Sequence, residues 1–421
     1  MYQKILAHIH HRTRIDAHYF LSGGFWSVTN NLIAILGGTI TSILFAHNLT
    51  ETDYGTYKYI LGLATIVSVF SLSGLGQSIL QASTKWLTYY RSVIRISFFY
   101  NIATFTLCLI GAIYYFVSQN TTLTIGFLLI GIFQPFINTF QFTPQFLYAQ
   151  KKFKEATKVQ IFKTILTSSA NILCIIYTQN ILILVAVYLL SLSLSHLITY
   201  YYFKSPDKNE IPYKEMVRFL SYAKHTSVRN IIVEIAFRID TIIIFQQLGA
   251  TQLAIFAIAN IVPEQIKGGI KIIPTLLMPK YVQRLENLDL NKTIKSIPKR
   301  SVQLLLLFSC ISIIYIIIAP HIYNIFFPKY TSSVIYTQLL ALSFPAMVGV
   351  VPLSSINALK DNKALYKINI YTSLISILVT LVLISQYEIM GAVIAKIISR
   401  YINSLFIYVY VQTYFVAITH K

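Results

Sequence analysis

The stretch LSGGFWSVTNNLIAILGGTITSILFAHNLTETDYGTY (Leu21–Tyr57) is matched, 199 residues further along the chain, by LSYAKHTSVRNIIVEIAFRIDTIIIFQQLGATQLAIF (Leu220–Phe256). Equivalent positions carry identical or similar residues: Leu21 and Leu220, Ser22 and Ser221, Asn31 and Asn230, Leu49 and Leu248, Thr52 and Thr251, and Tyr57 and Phe256. A match of this length without a gap indicates an internal repeat, and therefore a chain built from two copies of one unit.

The composition places both copies in a membrane. Hydrophobic residues make up 55% of the 421 positions and charged residues only 11%, and the mean hydropathy is +0.63, which excludes a soluble domain. Twelve apolar runs are long enough to cross a bilayer as helices. They cover about 20–46, 57–80, 93–117, 123–148, 159–177, 181–203, 217–246, 252–279, 301–319, 334–358, 368–385 and 389–414. The connections are too short for a catalytic domain, so we expect the function to reside within the bilayer.

A second match, at an offset of 209, pairs the loop between spans 4 and 5 with the loop between spans 10 and 11. In it Ala149, Lys151, Lys154, Lys158 and Ile161 fall on Ala358, Lys360, Lys363, Lys367 and Ile370. Because six predicted spans separate the two copies, both copies have the same orientation in the membrane. Parallel repeats of this kind are typical of transporters with two six-helix lobes and a site between the lobes.

The resulting domain organisation has four parts. Residues 1–19 form a cytoplasmic interfacial segment, and residues 20–203 form an N-terminal lobe of helices 1–6. Residues 204–216 are a cytoplasmic linker, and residues 217–421 form a C-terminal lobe of helices 7–12. We therefore predict an all-α integral membrane protein with about twelve transmembrane helices.

The Lys and Arg residues outside the spans are distributed unevenly. Of the 34 basic residues, nine lie within spans, 24 lie in one set of connections, and only Lys329 lies in the opposite set. Since basic residues are retained on the cytoplasmic side, both termini are predicted to be cytoplasmic. The net charge of +20 is dispersed over short loops, which argues against nucleic acid as a partner.

The nine cations within the spans are the main functional signal. They are Lys58, Lys163, Lys224, Arg229, Arg238, Lys267, Lys271, Lys396 and Arg400, and only three carboxylates, Glu234, Asp240 and Glu264, share these spans. Each cation at mid-membrane costs roughly 2.5–3.5 kcal/mol unless it lines a water-filled cavity or meets an anion. The excess of positive charge therefore predicts a negatively charged substrate. Snorkelling to the membrane surface is the alternative, most of all for Lys58, Lys163 and Lys396.

Span 7 carries charges where its repeat counterpart, span 1, carries none. Glu234 and Arg238 are four residues apart on a helix, so they are expected to pair with each other. Arg229 shares a face with Asp240 but has no evident local partner. After the duplication, span 7 therefore acquired charged residues at positions where span 1 has uncharged ones.

Spans 8 and 12 each present a charged stripe: Glu264, Lys267 and Lys271 in span 8, and Lys396, Arg400 and Asn403 in span 12. The span 12 cations have no nearby carboxylate in sequence, so we expect an anionic ligand to relieve their repulsion. The candidate substrate-binding cations are Arg229, Lys267, Lys271, Arg400, Lys224, Arg238 and Lys396. Glu234, Asp240 and Glu264 are candidates for H⁺ or Na⁺ coupling or, alternatively, structural partners of the cations.

Other chemistry has little support in the sequence. His8, His10 and His11 lack a further cluster of metal ligands, Cys108, Cys174 and Cys310 stand singly, and there is no Walker A motif. We therefore expect no catalytic residues, no metal site and no bound cofactor. Pro263, Gly268 and Gly269 interrupt span 8 and favour a hinge there.

Three segments resemble the Wzx-type polysaccharide flippases of the multidrug/oligosaccharidyl-lipid/polysaccharide (MOP) exporter superfamily. They are LFAHNLTETDYGTYKYILGLATIVSVFSLSGLGQSILQ (Leu44–Gln81), YAQKKFKEATKVQI (Tyr148–Ile161) and FRIDTIIIFQQLGATQLAIFAIA (Phe237–Ala259). The resemblance implies a MATE-like fold and alternating-access transport of undecaprenyl-diphosphate-linked oligosaccharides across the bacterial inner membrane, for surface polysaccharide or O-antigen of lipopolysaccharide. It also implies membrane lipid, a glycan polymerase and other glycan-assembly proteins as partners.

Two other functions stay open at this point. A drug/cation antiporter of the same superfamily would favour an acidic cavity, whereas the spans here carry excess positive charge. A membrane glycan polymerase would need a sizeable external loop with catalytic groups, whereas the external connections are short and nearly uncharged.

Overall fold

The computed structural model describes residues 17–81, 90–203, 213–270, 273, 290–359 and 362–419. Within these ranges every regular element is a helix. The first part contains α1 (Ala17–Asn48), α2 (Glu51–Val69), α3 (Leu75–Gln81), α4 (Tyr90–Val117), α5 (Thr121–Phe140), α6 (Thr143–Ala149), α7 (Phe153–Tyr177) and α8 (Ile181–Phe203). The second contains α9 (Tyr213–Leu248), α10 (Ala250–Ile270), α11 (Leu290–Phe326), α12 (Ser333–Ala341), α13 (Val350–Leu359) and α14 (Asn362–Thr419).

Nine helical stretches of the described residues are long and apolar enough to cross a membrane. The longest, Ala364–Thr413, contains a break at Glu388, whose φ of 54° and ψ of −132° are not helical. This break falls between predicted spans 11 and 12. The 36-residue helix α9 is absent from the nine, because its five charged residues after Tyr222 lower its hydropathy. The all-helical, multi-pass prediction is confirmed.

Three predicted spans are interrupted in the structure, and in two of them the sequence places helix-breaking prolines, Pro135 and Pro144 in span 4 and Pro345 and Pro352 in span 10. Span 2 breaks at a turn between α2 and α3, span 4 breaks between α5 and α6, and span 10 contains a 3₁₀ turn at Pro345–Gly349. The apolar composition continues through each break, so hydropathy alone does not reveal it. Pro144 and Pro345 stand at the start of the segments that follow, where the missing N–H of proline costs nothing.

Residues Leu32–Ala254 form one compact unit. In it α9 packs against α2 and α3, α4 against α5, and α7 against α8. The first turn of α2 approaches the start of α10 so closely that a Cβ on Gly55 would lie 1.8 Å from the carbonyl oxygen of Ala250. Only glycine fits at this contact.

The same contact brings together two positions that the repeat makes equivalent. The Oγ1 atoms of Thr52 and Thr251 lie 3.2 Å apart, and these residues are 199 positions apart. The axis that would relate the two predicted lobes stays a prediction.

The described residues of 1–31 and 255–421 form a second compact unit, and its helices include α11, α12, α13 and α14. Helix α11 packs against α12 and the 3₁₀ turn, while α13 packs against α14. Pro263 in α10 lacks the N–H that would bond to the carbonyl of Ala259. The single hydrogen of the Tyr323 hydroxyl is shared between the carbonyl oxygens of Ile258 at 2.9 Å and Ala259 at 3.3 Å, so it compensates in part.

The boundaries of these two compact units differ from the boundaries of the two repeat copies. The predicted domains, with lobes 20–203 and 217–421, therefore stay a prediction. Most of the predicted interfacial segment 1–19 and of the linker 204–216 lies outside the described residues. Helix α9, which the repeat assigns to the second copy, packs against α2 and α3 of the first copy.

Candidate functional site

A group of charged side chains lies among residues 255–421. The carboxylate of Glu264 accepts hydrogen bonds from Arg400 Nη2 at 2.6 Å and from Lys267 Nζ at 3.2 Å. Arg400 Nη1 also donates to Ser343 Oγ at 2.6 Å. One carboxylate therefore orients two cations, and a hydroxyl fixes the second nitrogen of the guanidinium.

The helices place these residues for clear local reasons. Glu264 and Lys267 are three residues apart on α10, so their side chains lie on one face directly after Pro263. Arg400 projects from the part of α14 that follows the break at Glu388. Ser343 belongs to the bend between α12 and the 3₁₀ turn, where the helix is interrupted.

A cavity of about 180 Å³ opens beside this group. Its wall includes Lys267, Arg400, Asn403 and Ser404 together with apolar side chains and backbone of Ala346, Met347, Gly349, Val350, Leu353 and Ile407. Liquid water occupies roughly 30 Å³ per molecule, so the volume suits a small polar group of about six water molecules in size. The side chain of Arg400 is 13% exposed, so its charge is largely removed from water.

The charge of this group is positive in spite of Glu264. Lys396 lies 5.1 Å above the ring of Phe256, one turn from Arg400 on α14. Three cations in this part of the chain thus stand near one carboxylate. The expectation that the span 12 cations have no carboxylate nearby is wrong, because Glu264 reaches Arg400 from α10. The sequence does not reveal this contact, since 136 residues separate the two.

Arg229 lies in the other unit, among residues 32–254. Its Nη2 donates to Gln77 Oε1 at 2.8 Å and to Asn230 Oδ1 at 3.1 Å, and Asn230 Nδ2 donates to Ser73 Oγ at 3.3 Å. These partners come from α3, from the turn before it and from α9 itself. The expectation that Arg229 has no local partner is wrong, because the neighbouring Asn230 accepts from it. Within the described residues, both acceptors of Arg229 are neutral.

The remaining charges of α9 follow the sequence more closely. The predicted pair is confirmed, since Arg238 Nε lies 3.5 Å from Glu234 Oε1. The Asp240 carboxylate, 8% exposed, accepts from the backbone N–H of Thr241 at 2.6 Å. Lys224 is exposed on the same helix. Lys271 lies outside the described residues, so its predicted role stays a prediction.

Sequence reasoning missed four polar residues of these groups: Ser73, Gln77, Ser343 and Ser404. A signal existed for the first two, because Ser73 and Gln77 are the same-face polar positions of the apolar run SLSGLGQSIL. No signal existed for Ser343 and Ser404, which are ordinary small residues of membrane helices. Among the described residues, no group of three or more metal-ligating side chains occurs.

The fold is that of transporters of the MOP superfamily. The lipid II flippase MurJ in an inward closed conformation superposes with a TM-score of 0.71 at 14% identity, over 93% of this chain and 87% of that chain. A MOP superfamily transporter from Pyrococcus furiosus gives 0.68 at 10% identity, over 95% and 96% of the two chains. An inward-facing multidrug resistance MATE family transporter gives 0.67 at 11% identity, over 94% and 99%. At such identities the likeness shows the fold alone.

The sequence itself gives the family. Residues 20–283 match the family model described as polysaccharide biosynthesis protein, which is more than half of the chain. The chain belongs to this family. No curated protein matches the sequence.

Proposed function

We propose that the protein is a flippase that moves undecaprenyl-diphosphate-linked oligosaccharide repeat units across the bacterial inner membrane. The product would serve the synthesis of a surface polysaccharide or O-antigen. The observation that carries this proposal is the positively charged cavity beside Glu264, Lys267 and Arg400, in a chain of a polysaccharide biosynthesis family.

The chemistry of the cavity suits a phosphate group. Charge-assisted hydrogen bonds from Arg and Lys to phosphate are short and strong, and a guanidinium can present two N–H groups to two oxygens. Asn403 and Ser404 add neutral polar groups to the same wall. A diphosphate would therefore exchange part of its water for Arg400 and Lys267.

Transport needs no covalent step in this proposal. The headgroup binds on the cytoplasmic side, the protein changes the side to which its site opens, and the prenyl chain stays in the lipid. Proton or sodium coupling through Glu264 or Asp240 is a further part of the proposal. Partners from glycan assembly, such as a polymerase, would receive the translocated repeat unit.

The fold does not distinguish this function from drug export, because solved structures with the fold include both MurJ and MATE transporters. The charge of the site favours the flippase. A cationic drug would have to enter beside Arg400, Lys267 and Lys396, with only Glu264 to attract it. An anionic headgroup is the better match.

The test is complementation of a flippase-deficient strain together with transport in proteoliposomes. Arg229→Ala, Lys267→Ala and Arg400→Ala should each abolish accumulation of surface glycan at matched protein level, because each removes attraction for phosphate but little apolar packing. Lys329→Ala is the control, since Lys329 is exposed in a 3₁₀ turn on the predicted external side. In proteoliposomes a diphosphate-linked oligosaccharide should be translocated and a cationic dye should not. Full activity of all three variants would rule out the cationic site, and dye export would favour the antiporter.

A further inference from the structure

The segment from Ser71 to Ile79 is buried except at two positions. Seven of its nine residues are buried, whereas Ser73 and Gln77 are half-exposed. They lie four residues apart and so share one face of the turn and α3. Polar side chains at these positions therefore face an accessible space instead of the packed interior.

Tight packing fixes this face against α9. The backbone N–H of Gly74 donates to Ser227 Oγ at 2.9 Å, and a Cβ at Gly74 would lie 2.2 Å from the carbonyl oxygen of Ala223. Glycine is required at such an approach. The contact places Gln77 next to Arg229, two residues beyond Ser227 on α9.

Gln77 and Asn230 hold the guanidinium of Arg229 by one nitrogen. Both acceptors bond to Nη2, at 2.8 Å and 3.1 Å, which uses the two hydrogens of that atom. A guanidinium has five N–H donors in a fixed plane, so the donors of Nη1 and Nε are fixed in direction by these bonds. Within the described residues no bond from Nη1 or Nε occurs.

Arg229 differs from two other arginines of predicted membrane helices in the chemical type of its partner. Arg238 pairs with Glu234, and Arg400 pairs with Glu264. A carboxylate partner both orients a guanidinium and cancels its charge. A carboxamide partner orients the guanidinium and leaves its full charge to attract an anion.

We propose that Gln77, with Asn230, is a positioning residue that fixes Arg229 as a fully charged site for one phosphate group of an anionic lipid headgroup. This inference rests on the proposed function and adds to it the residues that make Arg229 selective for an oxyanion. The donors that remain on the guanidinium lie on Nη1 and on Nε, at its two opposite edges, and a phosphate oxygen accepts from one of them. Ser73 Oγ accepts from Asn230 Nδ2 and so orients the carboxamide of Asn230.

The decisive variant is Gln77→Glu, which places a carboxylate at the Oε1 position beside Arg229 with almost no change in shape. The new ion pair should lower transport about tenfold or more, because it neutralises the charge that attracts the phosphate. The unfolding temperature should stay unchanged or rise. Gln247→Glu is the matched control, since it adds the same charge to an exposed position of α9 itself.

Inorganic pyrophosphate is the probe for binding by the full-length purified protein. Pyrophosphate should raise the unfolding temperature of the parent and of Gln247→Glu by the same amount. The rise should be smaller for Arg229→Ala, and it should be smaller by a similar amount for Gln77→Glu. Gln77→Met, which removes the acceptor but adds no charge, should lose less transport than Gln77→Glu. This order is expected only if the charge of Arg229 matters.

Two results would overturn the inference. One is a Gln77→Glu protein that transports as well as the parent. The other is a Gln77→Met protein as inactive as Gln77→Glu, with an unfolding temperature lowered in both, which would make Gln77 a packing residue. If Gln77→Glu does not fold, Gln77→Met decides. A folded Gln77→Met protein whose transport and pyrophosphate-induced rise in unfolding temperature both equal those of the parent would contradict the inference. Failure of the proposed function is distinguishable, because it would appear as no translocation of diphosphate-linked oligosaccharide by the parent itself.

Discussion

The substitution Glu264→Gln separates two roles of the carboxylate: it accepts hydrogen bonds from Arg400 and Lys267, and it neutralises part of their charge. The parent carboxylate holds both cations, at 2.6 Å and 3.2 Å. Glutamine keeps the shape of the side chain and one acceptor oxygen but removes the negative charge. Two cations would then face each other without a counter-charge.

The expected loss of stability follows from the burial of the three groups. Removal of one partner from a fully buried ion pair costs about 3–5 kcal/mol. Here the side chains of Glu264, Lys267 and Arg400 are 29%, 32% and 13% exposed, so solvent screens part of the effect. We expect a loss of roughly 1–3 kcal/mol in the free energy of unfolding, seen as a midpoint lower by a few degrees.

The assay is thermal unfolding of the purified full-length protein with and without pyrophosphate. The Glu264→Gln protein should be destabilised, and pyrophosphate should stabilise it more than it stabilises the parent, because no carboxylate competes for the cations. Glu234→Gln is the control: it breaks one 3.5 Å contact between groups that are 28% and 37% exposed. That change should cost about 0–1 kcal/mol and leave the response to pyrophosphate intact. If the two variants behave alike, the shared-carboxylate argument is wrong.

Three further outcomes are expected. Gly55→Ala should destabilise the protein by roughly 3 kcal/mol or more, because its Cβ would overlap the carbonyl oxygen of Ala250. Gly268→Ala should be tolerated in unfolding assays, because no atom of the described residues lies within 4 Å of that Cβ. Tyr323→Phe should cost about 1 kcal/mol in the free energy of unfolding, because the carbonyl of Ile258 loses its 2.9 Å donor, and a wild-type midpoint would contradict this. Reporter fusions at the two ends of the chain should give cytoplasmic signals, and an external C-terminal signal would contradict the predicted topology.

Hydropathy predicted the all-helical, multi-pass class because this class depends on local composition. A run of apolar residues must form a helix in lipid, whatever surrounds it. The pair of Glu234 and Arg238 was predictable for the same reason, since four residues on one helix fix the geometry. The breaks in spans 4 and 10 coincide with Pro144 and Pro345, which the sequence shows as helix breakers. The break in span 2 was not predictable, because its turn contains no proline.

The cationic residues of the candidate site were predictable from the sequence, but most of their hydrogen-bond partners were not. Arg229, Lys267 and Arg400 were identifiable because charge is costly in apolar helices. Glu264 lies only three residues from Lys267 on the same helix, whereas Gln77 and Ser343 lie 152 and 57 residues from Arg229 and Arg400. A carboxamide or hydroxyl in an apolar run costs too little to be noticed. The sequence therefore shows at most that such neutral residues share a face, as Ser73 and Gln77 do, and the fold shows which cation they contact.

The partners of the two arginines imply different affinities for an anion. A phosphate that approaches Arg400 must compete with Glu264, which already occupies Nη2 at 2.6 Å. A phosphate that approaches Arg229 meets only amide partners and gains the full attraction of the guanidinium. A transporter has to bind its substrate and also release it, so a site with a built-in competitor is suited to release and a site with neutral partners is suited to capture. If so, Gln77→Glu should impair capture, and its transport defect should diminish as the concentration of lipid-linked substrate rises. Glu264→Gln should instead impair release, and its defect should persist at saturating substrate. Initial rates measured against substrate density in proteoliposomes separate the two, and identical dependence for both variants would refute this division of roles.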